Sequence, residues 1–113
     1  MTLEEYADKA LATLGGQHAY GQIDSTTMAQ VLGLCGESGE VAEKFKKLIR
    51  DQHGQLSEQD RQAIIKELGD VLWYVTSLAH LLGSSLEEVA RINNQKLASR
   101  RDRDQLHGSG DDR

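Results

Sequence analysis

Apolar residues fall into four stretches separated by polar, glycine-containing breaks, and each stretch predicts a helix. The first covers residues 3–14 and stops at Gly15-Gly16, a C-terminal signal. A polar loop through His18, Tyr20, Gly21 and Asp24 leads to a long second helix that starts near Ser25 to Thr27 and runs to about Arg50. Lys44, Lys46, Lys47 and Arg50 gather near its end, where the helix dipole favours cations. Ser57 with Asp60 predicts a capping box for a third helix reaching about Leu82, and Ser85 with Glu88 predicts the same device for a fourth helix to about Arg101. The third helix carries Ile64, Ile65, Leu68, Val71, Leu72, Trp73, Tyr74, Val75 and Leu78, apolar around most of its girth. Such a helix lies at the centre of a bundle or under a second subunit.

Within the second and third helices one five-residue pattern occurs twice, as Glu37-Ser38-Gly39-Glu40-Val41 and Glu67-Leu68-Gly69-Asp70-Val71. Residues three apart share a helix face, so each copy offers two carboxylates pointing the same way. The intervening Gly costs a helix interior ~1 kcal/mol relative to Ala, a loss explained if a neighbouring backbone or a bulky ligand must approach closely. The competing reading is four solvated surface acids. Their neighbours oppose it: Val31, Leu32, Leu34, Cys35, Ala42 and Phe45 around the first pair, and Ile64 to Val75 around the second, predict partial burial. Facing carboxylates so placed repel and take up protons unless cations sit among them, and their hard oxygens suit Mg2+ or Mn2+.

Composition narrows the rest. The 113 residues make one domain and contain no proline and few aromatics, which favours an all-α fold. A net charge of −5 disfavours a sequence-independent grip on a nucleic acid polymer. The one cysteine, Cys35, excludes an intrachain disulfide and is expected in the core. The start has no basic n-region or apolar h-region, and no run reaches membrane-spanning length, so a soluble cytoplasmic protein with no membrane partner is expected. His53, His80 and His107 show no metal spacing with one another, and His80 does not belong to a Glu-x-x-His pair of the di-iron kind.

The fourth helix aligns Asn93, Lys96, Arg100 and Arg103 along one stripe, read either as a solvated basic face or as a clamp for phosphate oxygens. Lys44 shares the face of Glu40 and is a second phosphate candidate, with a Glu40–Lys44 salt bridge as the plainer alternative. Trp73, three residues after Asp70, either stacks on a base or packs in the core. His18, Tyr20 and Gln22 either reach a base edge or are merely solvated loop residues.

Taken in order, Gly36-Glu37-Ser38-Gly39-Glu40-Val41, Glu67-Leu68-Gly69-Asp70-Val71-Leu72-Trp73-Tyr74 and Asn93-Asn94-Gln95-Lys96-Leu97 with Arg100 resemble the MazG-like members of the all-α nucleoside triphosphate pyrophosphohydrolase superfamily. The likeness spans roughly residues 26–113 and includes a closing Gly-Ser-Gly-Asp-x-Arg found in some MazG-like proteins. It implies a four-helix MazG-like domain over residues 1–103, followed by a flexible Gly-rich tail over 104–113. It also implies Mg2+-dependent cleavage of an NTP or dNTP between the α and β phosphates. Glu37, Glu40, Glu67 and Asp70 correspond to the metal-binding acids, one of which serves as general base. Asn93, Lys96 and Arg100 correspond to nucleotide-contacting residues. A homodimer or homotetramer, with helices of two protomers completing each bundle and pocket, is likewise implied. The rival readings are an enzyme restricted to one nucleotide such as dUTP, dCTP or phosphoribosyl-ATP, and a non-catalytic helical regulatory module that binds a nucleotide or protein partner. The composition of residues 102–113 predicts a mobile end, whereas the likeness suggests a substrate-ordered lid with Arg113 on phosphate and Asp111 paired to a cation of the fourth helix.

Overall fold

A computed structural model describes residues 1–113, which form four helices and no strand: α1 (Leu3–Leu11), α2 (Ser25–Gln52), α3 (Glu58–Leu81) and α4 (Leu86–Asp102). Each begins at a side-chain cap. Thr2 and Glu5 close a reciprocal capping box on α1, and Ser57 and Asp60 close another on α3. Asp24 accepts a hydrogen bond from the Thr27 amide at 2.8 Å to open α2. On α4 only half of the expected box forms: Ser85 accepts from the Glu88 amide, with no return bond from the Glu88 carboxylate.

The helix ends differ from expectation in informative ways. α1 stops three residues early, because Thr13 and Leu14 tighten into turns whose amides donate to Ala10 and Leu11, and the Thr13 hydroxyl donates to the Ala10 carbonyl as well. α2 runs two residues past Arg50 and ends with His53 in the left-handed region, followed by the Gly54 amide donating to the Leu48 carbonyl at 2.9 Å.

The short 53–57 connection folds α2 and α3 into an antiparallel pair. Gln30 near the start of α2 meets Ser77 near the end of α3 at 3.3 Å, and Lys44 meets Glu67 further along at 3.5 Å. Little else packs. α4 contacts α3 only slightly, and α1 packs against no other element. The buried residues are four: Leu48, Ile64, Ala79 and Arg100. Val31, Leu32, Phe45, Ile65, Leu68 and Leu72 stay exposed, and so does Cys35, which was expected in the core. The apolar sides of α2 and α3 exceed what either helix alone can cover. The radius of gyration, 19.9 Å, is likewise far above the ~13 Å of a compact domain of this length. No helix is long and apolar enough to cross a membrane.

Candidate functional site

The α2–α3 pairing sets the two Glu-x-Gly-acid-Val patterns opposite each other. Glu37 from α2 and Glu67 and Asp70 from α3 bring one carboxylate oxygen each to within 4.8 Å of one another. Glu40 does not join them; it is exposed and acts on Glu37 through its charge alone. The same three-residue spacing lets Glu67 and Asp70 both reach the group from α3, so spacing alone does not exclude Glu40; its place on the exposed side of α2 does. Burial is less than the sequence suggested, with Glu37 and Glu67 half-buried and Asp70 exposed.

The electrostatics are those of crowded acids. Partial desolvation holds the Glu37 carboxyl above the ordinary 4.5; the charge of Asp70, a hydrogen bond with Glu67, and the charges of Glu67 and Glu40 act in the same direction. Lys44 compensates in part, pairing across the helices with Glu67 rather than along α2 with Glu40. An all-oxygen donor set of three crowded carboxylates fits a hard divalent cation, and it contains no nitrogen or sulfur donor that would favour a softer one.

Beside the carboxylates lies an open cleft of about 340 Å³ lined by Glu37, Asp70, Trp73 and Tyr74. Trp73 is 59% exposed, so it is not a core residue, and it stands edge-on to Tyr74 with ring centroids 5.0 Å apart at 86°. Tyr74 is the residue that sequence reasoning passed over as apolar filling. Its signal was Gly33 on the facing helix, where a Cβ would lie 2.2 Å from Tyr74 Cε1 and 2.4 Å from Cζ. Gly33 is therefore the seat of the Tyr74 ring. Gly39 and Gly69, by contrast, have no atom within 4 Å of where a Cβ would stand apart from their chain neighbours and the backbone of their own helix, so no neighbouring helix of the same chain explains them.

The cations of α4 lie apart from this cleft. Asn93 and Lys96 line a second open hollow of about 430 Å³ with Leu86, Val89, Ala90 and Ile92. Lys96 and Arg100 both reach Asp111, at 3.0 and 3.3 Å, and these bonds hold the Asp111 carboxyl below its ordinary value, the Lys96 hydrogen bond most of all. Arg113 turns toward its own segment, donating to the carbonyls of Gln105, Leu106 and Gly110.

A family model of the MazG nucleotide pyrophosphohydrolase domain matches residues 25–104, which takes in α2, α3 and α4 complete. The chain is similar to the Gene 37 protein of Mycobacterium phage L5, 48% identical over 82 residues that cover 73% of this chain and 72% of the relative. It is also similar to the uncharacterized protein YvdC of Bacillus subtilis (strain 168), 32% identical over 72 residues that cover 59% of this chain and 68% of the relative. No solved structure gives a significant match. With the family domain spanning both acidic helices and the cationic one, the chain belongs to the MazG nucleotide pyrophosphohydrolase family.

Proposed function

We propose that the protein hydrolyses a nucleoside or deoxynucleoside triphosphate between its α and β phosphates, releasing the monophosphate and pyrophosphate with the help of Mg2+, or Mn2+ in its place. The observation that carries this is the convergence of Glu37, Glu67 and Asp70 within 4.8 Å beside an exposed Trp73. When bound, the cation would polarise the phosphoryl group, ease ionisation of the attacking water and shield charge on the departing pyrophosphate. Glu37, Glu67 and Asp70 would hold it, and Glu40, three residues further along α2, would add a further carboxylate close by. Lys44, 3.5 Å from Glu67 across the helix pair, holds that carboxylate toward the space between the helices. One carboxylate of the four would act as general base, taking the proton of the attacking water. The Trp73 face offers a platform for the base, and Asn93 and Lys96 on α4 offer donors for phosphate oxygens.

Because α4 barely touches α3 in one chain, these two sets of groups meet one substrate through assembly. A second copy covers the exposed apolar sides of α2 and α3 and brings its cationic helix to the acidic cleft, giving a homodimer or a dimer of dimers. The test is turnover of a panel of NTPs and dNTPs, phosphoribosyl-ATP included, with pyrophosphate and orthophosphate assayed separately. Pyrophosphate release that EDTA stops and Mg2+ or Mn2+ restores is the expected result. Orthophosphate as the first product, or activity that survives exhaustive chelation, refutes the proposal.

A further inference from the structure

Residues 104–113 have the composition of a frayed end but the bonding of a folded element. The Arg113 guanidinium spans three carbonyls of its own segment, Gln105 at 3.2 Å, Leu106 at 3.1 Å and Gly110 at 2.7 Å. Arg103, in the turn that closes α4, donates to the Arg113 carbonyl at 2.7 Å. Gly108 and Gly110 hold φ of 131° and 87°, a region closed to most side chains, and a Cβ on Gly108 would stand 3.2 Å from Arg113 Cδ. The path of the segment is thus specified by sequence, and its product is the placement of Asp111 against α4.

There the two cations read as a phosphate clamp are unequal. Arg100 is only 5% exposed; its Nη2 donates to both the backbone carbonyl and the carboxylate of Asp111, and its buried Nε finds no partner. A phosphate can reach that guanidinium only by displacing the segment. Lys96 is different: its side chain is 38% exposed and one of its three ammonium donors is spent on Asp111, leaving two. Two cations against one carboxylate also leave the pair net positive toward an incoming anion.

On the reading given under Proposed function, we infer that residues 104–113 are a strap whose Asp111 positions Lys96 for the substrate's phosphates, with Arg100 and Arg113 anchoring the strap rather than binding phosphate. A lysine carries a flexible four-carbon stem, and tying one donor to a fixed carboxylate removes freedom that binding would otherwise have to remove. Asp111 is a positioning residue, acting through Lys96.

Asp111→Asn, Lys96→Ala and the double variant of the full chain close a cycle that tests this. Asp111→Asn is expected to raise KM for the triphosphate roughly two- to fivefold, the factor to which an exposed ion pair converts, with kcat nearly unchanged. In the Lys96→Ala background the same change is expected to do nothing further, and Asp111→Glu is expected to recover part of the loss. A fall in KM for Asp111→Asn would make the carboxylate a competitor for the site. Unchanged kinetics, or losses that simply add in the double variant, would make the strap inert or merely structural. Each of these overturns the inference. Calorimetric binding of inorganic tripolyphosphate, run through the same cycle, separates the two levels. A wild-type protein that binds tripolyphosphate in the predicted pattern but hydrolyses no nucleotide refutes the proposed function alone, and one that binds none refutes the positioning.

Discussion

Replacing Gly33 with Ala sets two known effects against each other. Ala in a helix interior is favoured over Gly by ~1 kcal/mol, and nothing in the local sequence of α2 forbids it. Across the helix pair, however, the new methyl would lie 2.2, 2.4 and 2.8 Å from Cε1, Cζ and the hydroxyl of Tyr74. The ring must retreat by roughly 1.3 Å to restore an ordinary ~3.5 Å carbon contact, and overpacking of this kind costs about 1–3 kcal/mol. The net expectation is a destabilisation of up to about 2 kcal/mol. Activity is expected to fall further than stability, because the Tyr74 ring stands edge-on to Trp73 and both line the cleft with Glu37 and Asp70. Urea unfolding at fixed protein concentration measures the first effect, and the ratio of kcat/KM to wild type the second. Pairing Gly33→Ala with Tyr74→Ala should abolish the clash and return the helix-propensity gain. If Gly33→Ala alone is more stable than wild type by the full ~1 kcal/mol with unchanged kinetics, Tyr74 does not sit on Gly33 and the account of the cleft is wrong.

Other perturbations address the remaining links. Glu67→Gln and Asp70→Asn are expected to lower kcat/KM on the order of 10²–10³-fold while preserving helical circular dichroism, since each removes charge from the metal site with little change of volume; full activity in both would sink the site. In metal-free protein, the raised Glu37 carboxyl means that the native state holds a proton more tightly than the unfolded chain. Its stabilising contribution is present below pH 4.5 and is lost as pH rises through the folded value. Glu37→Gln in EDTA should therefore melt above wild type at neutral pH and lose that advantage below 4.5, and a variant that melts below wild type at pH 7 contradicts this. Melting temperature should drop on dilution, and Leu72→Asp, at a side chain 51% exposed in the single chain, should drive sedimentation toward a monomer; a dilution-independent melt would mean that the chain is stable by itself. Gly69→Ala should gain up to ~1 kcal/mol if the space beside it holds only solvent, whereas lost activity in a well-folded variant would assign that space to substrate or partner.

Much of the helical frame was legible because caps are local. Ser57 and Ser85 each bond an amide three residues on, which chain order reports directly; Thr2 and Asp24 do the same for α1 and α2, though neither is among the caps expected from sequence. The carboxylates were legible for a similar reason, through the i,i+3 rule, yet that rule does not say whether one or both of a pair turn inward: both do on α3, whereas on α2 Glu40 stands outside the group formed by Glu37, Glu67 and Asp70. Lys44 went to Glu67 instead of Glu40 because a facing helix competes with the next turn, and only packing decides between them. Hydrophobicity told that Cys35 and Leu72 suit burial, but it carries no information on what covers them. The strap was least legible. Its glycines and acids describe a solvated end, and the bonds of Arg113 to three carbonyls depend on a loop geometry that composition does not encode.

The antiparallel register of α2 and α3 also limits how such a chain can change length over evolution. Each residue added to a helix turns everything beyond it by about 100° and advances it 1.5 Å, so one insertion between Glu37 and the end of α2 would carry that carboxylate off the face it shares with Asp70. The 53–57 connection is exposed and carries none of the site residues, so it can absorb insertions that the helices cannot. Length variation among relatives that keep the site should therefore concentrate in the connections, and an odd residue gained within α2 should travel with a compensating change within α3 or with loss of the acids.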